Sequence, residues 1–147
     1  MTEKKTKKKS KKREKEKAFL ARGKRKTSVA RAVVTPGSGK IRMNNILLES
    51  FNNKYIKEII AEPLKYLGPE ANSIDIAVNV YGGGVMGQAQ AARTAIAKAL
   101  VGYFNSNELK KKFEEIDRSL IVEDSRRVEP KKFKGPKARA RYQKSYR

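Results

Sequence analysis

The placement of charge, more than any motif, limits what this chain can fold into. Its 147 residues carry 36 Lys/Arg against 15 Asp/Glu, a formal charge of +21. Residues 1–17 hold ten basic residues against three Glu, residues 18–31 hold five with no acid, and residues 125–147 hold ten against Glu129 alone. The span between, 32–124, has eleven of each sign and is neutral. Like charges at the density of the two ends repel at every helical or extended spacing, so neither end can collapse into a core. The expected organisation is therefore a basic arm over residues 1–20, a globular body over 21–124 and an extended basic tail over 125–147. A hydrophobic content of 38% suits one modest domain with part of the chain left outside it.

Cationic segments of this kind call for a polyanion. A membrane surface is the poorer match, because neither end has the Leu/Phe/Trp face of an interfacial helix and no apolar run approaches spanning length. The lysine-rich start leads into AFLARG rather than into the apolar stretch of a signal peptide. Cysteine and histidine are both absent. Their absence removes disulfides, the usual zinc sites and every nucleophile or base built on those side chains, and a reducing compartment is the natural setting.

The body alternates strand and helix signals. Regular structure is expected to begin near Arg25, with Val29, Ala32 and Val34 giving an imperfect strand pattern before the turn Pro36-Gly37-Ser38-Gly39. Ile41 and Met43 alternate with Lys40 and Arg42 in a second strand, Asn44-Asn45 offers a tight turn, and ILLESF reads as a third short strand. NNKYIKEIIAEPLKYL places Tyr55, Ile56, Ile59 and Ile60 at helical spacing, capped by Asn52 or Asn53 and ended or kinked by Pro63. In SIDIAVNV, Ile74, Ile76, Val78 and Val80 alternate with Asp75, Ala77 and Asn79, as a sheet with one buried face requires. MGQAQAARTAIAKALVGYF then puts Val85, Ala89, Ala92, Ile96, Ala99, Leu100 and Tyr103 on one stripe, with Gln90, Thr94 and Lys98 opposite. A shorter helix is expected over 107–116. The fold class is α+β, a single small domain with a mainly antiparallel sheet packed by helices.

Three features compete for a chemical role. YGGGVMGQ joins strand to helix, and Gly82 to Gly87 formally match G-x-G-x-x-G. No Gly-Lys-Ser/Thr ending follows, and Asn105-Ser106-Asn107 stands where a ribose-binding acid would fall, so a nucleotide cofactor is disfavoured. The glycines serve either close helix–strand packing or a helix start whose free N–H groups meet an RNA phosphate. Glu114, Glu115 and Asp117 adjoin Lys110, Lys111 and Lys112, which suggests helical ion pairs; Glu123-Asp124 reads as a solvated turn. No catalytic residue, metal ligand or cofactor is expected. The tail is the third feature, and its Pro130, Gly135, Pro136, Tyr142 and Tyr146 interrupt the charges. Fixing its 23 residues would cost on the order of 20–45 kcal/mol of backbone entropy at ~1–2 per residue, so an ordered tail implies a partner. Arg139 and Arg141 put two guanidiniums on one side of an extended chain, each able to fork onto a phosphate or stack on a base. Neutralising about eight phosphates would make log K fall against log salt with a slope of roughly −7. Tyrosines interleaved with cations suit RNA, whose exposed bases stack on rings.

Four segments, GKRKTSVARAVVTPGSGKIRMNN, YGGGVMGQAQAARTAIAKAL, DRSLIVEDSRRVEPKKF and KARARYQKSYR, occur in that order. Together they resemble the universal ninth-protein family of the small ribosomal subunit, over residues 22–147, and EPKKF and QKSYR resemble its archaeal and eukaryotic cytosolic branch. The resemblance implies a sheet covered by helices, like the second domain of another small-subunit protein, seated on the subunit head of a cytoplasmic ribosome. It implies ribosomal RNA, the P-site transfer RNA and neighbouring head proteins as partners, with no membrane and no chemical step. Arg22, Lys24, Arg25, Lys26 and Arg31 would meet ribosomal RNA at the edge of the body. Arg126, Arg127, Lys131, Lys132, Lys134, Lys137, Arg139 and Arg141 would meet it along the tail. Lys144, Ser145, Tyr146 and Arg147 would reach the anticodon stem-loop of the transfer RNA. The other classes compatible with the residues are a nucleic-acid-acting enzyme whose tails recruit substrate and a free RNA chaperone with no fixed site.

Overall fold

The fold was read from a computed structural model that describes residues 18–143 and Ser145; the arm at 1–17 and the expected tRNA contacts Lys144, Tyr146 and Arg147 lie outside the described residues. Five strands form one sheet: β1 (Phe19–Arg25), β2 (Ser28–Pro36), β3 (Ile41–Met43), β4 (Ile46–Leu47) and β5 (Ile74–Tyr81), in the order β1-β2-β5-β3-β4. Every neighbouring pair is antiparallel except β3 with β5. Three helices accompany the sheet: α1 (Lys54–Lys65), α2 (Val85–Phe104) and α3 (Asn107–Ile116). The domain is α+β, as the alternation of patterns indicated.

The first strand starts at Phe19, ahead of Arg25. Its sequence FLARGKR shows little apolar alternation, because residue 23, which faces α2, is a glycine. A Cβ on Gly23 would lie 2.2 Å from the Ala91 carbonyl oxygen and 2.5 Å from the Ala95 nitrogen. Glycine is required there for contact, not for a turn, and the alanines of α2 permit the approach. In β2 the buried row is Ser28, Ala30, Ala32 and Val34, so Val29 faces away from the core instead of joining Ala32 and Val34. The row expected in β5, Ile74, Ile76, Val78 and Val80, is buried throughout.

Helix α2 is the centre of the molecule and not an amphipathic cover. Ala91, Thr94, Ala95 and Ala97 are buried alongside Ala89, Ala92, Ile96, Ala99 and Leu100, while Val85 at its first turn is exposed. The sheet covers one side of α2, and α1, α3 and the short 3₁₀ turn Arg118–Leu120 close the other. Thr94 belongs on that second side: its Oγ1 lies 3.1 Å from the carbonyl oxygens of both Gln90 and Ser119, and its single proton is shared between them. Ile56 and Ile60 of α1 and Phe113 of α3 are buried in the same core.

Turn chemistry sets the remaining boundaries. Asn44 and Asn45 have φ of 49° and 68°, the double left-handed conformation of a two-residue hairpin turn. The Asn44 side chain also bridges to β5, accepting from the Val80 N–H at 2.8 Å and donating to the Val80 carbonyl at 3.1 Å. ILLESF yields only the two-residue β4 before a 3₁₀ turn at Leu48–Ser50. Asn53 caps α1, its side chain accepting from the N–H groups of Tyr55 and Ile56. Pro63 sits inside that helix, which runs on to Lys65. Helix α3 occupies the span expected of it, capped by Ser106.

Candidate nucleic-acid interface

The basic residues of 18–31 are gathered by one hairpin. Strands β1 and β2 pair along their full register from Phe19↔Val34 to Arg25↔Ser28, leaving Lys26-Thr27 as the turn. Arg22, Lys26 and Arg31 are exposed, and Lys24 and Arg25 are half-buried. Lys26 holds a φ of 54°, a left-handed conformation that a lysine adopts at a cost of ~1–2 kcal/mol.

The glycine corner packs against this hairpin. Gly82 and Gly83 have φ of 74° and 67°, and a Cβ on Gly83 would fall 2.1 Å from Ser28 Oγ. Ser28 Oγ donates to the Gly82 carbonyl at 3.0 Å, and Gln88 Nε2 donates to the same oxygen at 3.1 Å. Of the readings offered for YGGGVMGQ, close packing and positive φ are thus directly visible. The corner also borders a shallow pocket of about 520 Å³ in which Arg25 and Lys26 face Gly83, Gly84 and the first turn of α2. That helix starts without a side-chain cap.

The root of the tail is fastened to the hairpin edge. Asp124 forms a parallel bridge with Arg25, and their side chains form an ion pair in which both are largely buried. Asp124 also takes a two-nitrogen grip from Arg126, with Arg126 Nη2 at 2.6 Å. Glu123 meets Lys98 of α2 at 2.9 Å and Arg22 at 4.0 Å. The pair expected as a solvated turn is instead a clamp that fastens the root of the tail to β1 and α2. Period-2 and period-3.6 patterns carry no trace of it, because Arg22 and Arg25 lie about a hundred residues upstream and Lys98 sits on a different element. Asp117 is diverted likewise: only Lys110–Glu114 pairs within α3, at 3.9 Å, while Asp117 meets Arg93 at 2.7 Å and Arg93 also meets Glu62 at 2.7 Å. Burial pushes the Asp117 carboxyl up, but hydrogen bonds from Ser119 and the Arg93 guanidinium outweigh it and hold the group below its ordinary value.

Beyond Arg126 the described tail has neither helix nor strand and is exposed almost throughout. Arg139 forks onto Glu129 at 2.6 and 3.0 Å, closing a loop in which Gly135 is buried beneath the Ala140 carbonyl. That hydrogen bonding holds the Glu129 carboxyl below its ordinary value and raises the Arg139 guanidinium. Lys134 lies 5.8 Å from the Phe133 ring centroid. Arg127, Lys131, Lys132, Lys137 and Arg141 have no described carboxylate within 4 Å. Of the expected tail contacts these five are free cations, whereas Arg126 and Arg139 are engaged internally; Ser145 is exposed.

Among the described residues no three acidic side chains are grouped as metal ligands, and no helix is long and apolar enough to cross a membrane. An apolar cleft of about 560 Å³ between β3 and α1 lies apart from the hairpin and the tail and has a rim of mixed sign, Lys40, Lys57 and Lys65 with Glu49 and Glu58.

A folded body carrying a basic hairpin and a clamped basic tail has the charge distribution characteristic of nucleic-acid-binding proteins. Comparison with known proteins narrows the class. Residues 23–147 match the family described as ribosomal protein S9/S16, and the chain belongs to that family. It is 49% identical to the small ribosomal subunit protein uS9 of Desulfurococcus amylolyticus over 134 residues, covering 91% of this chain and 96% of the relative. Similar matches are the uS9 proteins of Methanococcus vannielii, 50% identical over 85% of this chain and 95% of the relative, and Halobacterium salinarum, 48% identical over 85% and 96%. These relatives are archaeal, in keeping with the archaeal-like EPKKF and QKSYR forms.

Proposed function

We propose that this chain is a constituent of the small ribosomal subunit of the cytoplasmic ribosome, seated on its head. There it binds ribosomal RNA through the β1–β2 hairpin and the tail, and its last residues approach the anticodon stem-loop of the P-site transfer RNA. The boundary expected at residue 20 moves back, because Phe19 and Leu20 already pair with Val34 and Val33: the segment before β1 would serve as an arm, the span from Phe19 to Asp124 as the anchoring body and 125–147 as the RNA-threading tail. The observation that carries this reading is the clamp at Glu123-Asp124. It fastens to the body the root of a segment in which, among the described residues, five cations have no carboxylate partner, next to a hairpin that presents more. Uniformly high similarity to proteins named for the small subunit supports the setting. The role is architectural and electrostatic: tethering to a folded anchor raises the tail's local concentration at its site.

Sedimentation of tagged chain in lysate tests the setting. A subunit component stays with the small subunit in moderate salt, whereas a free chaperone redistributes onto competitor RNA. For the tRNA contact, subunits carrying a chain cut after Gln143 should release P-site tRNA faster while the body remains folded. Unchanged off-rates would remove the tRNA contact from the proposal.

A further inference from the structure

The helices described above all pack on one face of the sheet, and the opposite face of β1, β2, β5 and β3 is left uncovered. Its side chains follow from the register. Arg22, Arg31 and Asn79 form one cross-strand row; Val29 and Tyr81 form the next; Val33, Ala77 and Arg42 lie on the other side. The side chains of Arg31 and Arg42 make no hydrogen bond or salt bridge with a described residue, and Arg42 meets the Asp75 charge only at longer range. Arg22 has only Glu123 at 4.0 Å, an acid already held by Lys98. The face's own acid, Asp75, is occupied by the backbone N–H groups of Ser38 and Lys40 at 2.7 and 3.0 Å. Like charges directly opposed across an antiparallel pair disfavour the sheet, so Arg22 beside Arg31 is a cost that the isolated body leaves uncompensated. The central strands put Val29, Val33 and Ala77 on the face together with Arg31 and Asn79, Lys24 stands opposite Val29, and the larger Leu20 and Leu47 stand on separate margins. Tyr81 is 54% exposed and borders the arginine row.

We propose that this open face binds a single-stranded segment of RNA, with Arg22, Arg31 and Arg42 on phosphates and the Tyr81 ring stacked on a base. The choice of RNA rests on the preceding proposal; the face itself adds Arg42, Asn79 and Tyr81 to the contacts. Charge complementarity selects a polyanion, and an exposed ring among guanidiniums selects one that carries π faces as well as phosphates. A protein partner would have to bring its own acids to Arg22, Arg31 and Arg42, a demand that phosphates meet without further design.

Binding of the full chain to small-subunit ribosomal RNA, measured across a salt series, tests the assignment. With the tail intact, the Arg31→Ala/Arg42→Ala chain should lose about 1.5 from the magnitude of the log K–log salt slope. Tyr81→Ala should weaken binding roughly 5- to 150-fold with the slope unchanged, and Tyr81→Phe should restore it. An Arg139→Ala/Arg141→Ala chain with the face intact reports on the tail separately. These face positions are exposed, so melting should stay near wild type; a chain that melts early is replaced by Arg31→Gln/Arg42→Gln, with the same slope expected. Wild-type affinity and slope in the face variants overturn the proposal and leave the tail reading standing if the tail variant alone loses slope. Photocrosslinking of Tyr81 to a protein instead of RNA in the assembled subunit also overturns it.

Discussion

Lys26 shows how function and stability compete at one residue. It occupies the turn of the β1–β2 hairpin with a φ of 54°, where glycine would be relaxed. Lys26→Gly is expected to raise stability by about 1 kcal/mol by relieving the left-handed strain, and to lower the salt slope of RNA binding by about one. Denaturant melts and a salt titration check both signs; an unchanged slope would remove Lys26 from the interface. Asn44 tolerates the same conformation for a different reason, since its amide holds both backbone groups of Val80. Asn44→Ala should destabilise by about 2–3 kcal/mol, from two lost hydrogen bonds and a left-handed alanine. Asp75 gives a pH dependence. Backbone hydrogen bonds from Lys40 and Ser38 hold its carboxyl below the ordinary 3.8. A depressed folded-state pKa stabilises above the unfolded value, and that stability is lost as pH falls through the folded one. Asp75→Asn should therefore flatten the acid limb of the stability profile below about pH 4, leaving the neutral limb unchanged in shape.

At the scale of elements, β5 and α3 were legible because their apolar periods are unbroken. Ile74, Ile76, Val78 and Val80 all point into the core, and Ser106 begins α3 as a cap should. Strand β1 was illegible because its core-facing position at Gly23 carries no side chain at all. The same substitution of size for hydrophobicity hid the true environment of α2, where alanine lines every side and the buried Thr94 hydroxyl shares its proton between two carbonyl oxygens. Gly23→Ala should cost about 2–4 kcal/mol, since the new methyl meets backbone atoms of α2 that cannot rotate away. Thermal unfolding of that variant is the check, and a melt equal to wild type would show that β1 and α2 separate freely. The interface was half legible. Composition located the cations but not their partners, so the clamp at Glu123-Asp124 and the open-face Arg42 and Tyr81 emerged only with the topology.

For the molecule as a whole, sorting of charge along the sequence becomes sorting in space. The neutral span folds around α2, the hairpin sets cations on one edge, and the Arg25–Asp124 pair fastens the root of the tail to that edge. Breaking the clamp with Asp124→Ala should leave an unpaired, largely buried Arg25 and cost about 3–5 kcal/mol of stability, more than the loss of an exposed pair. The most direct measurement is amide hydrogen exchange of the full chain, alone and bound to small-subunit ribosomal RNA. Amides of residues 126–143 should exchange fast in the free chain and become protected in the complex, while those of α2 keep the same protection in both. Equal, strong protection of that segment with and without RNA would contradict the account.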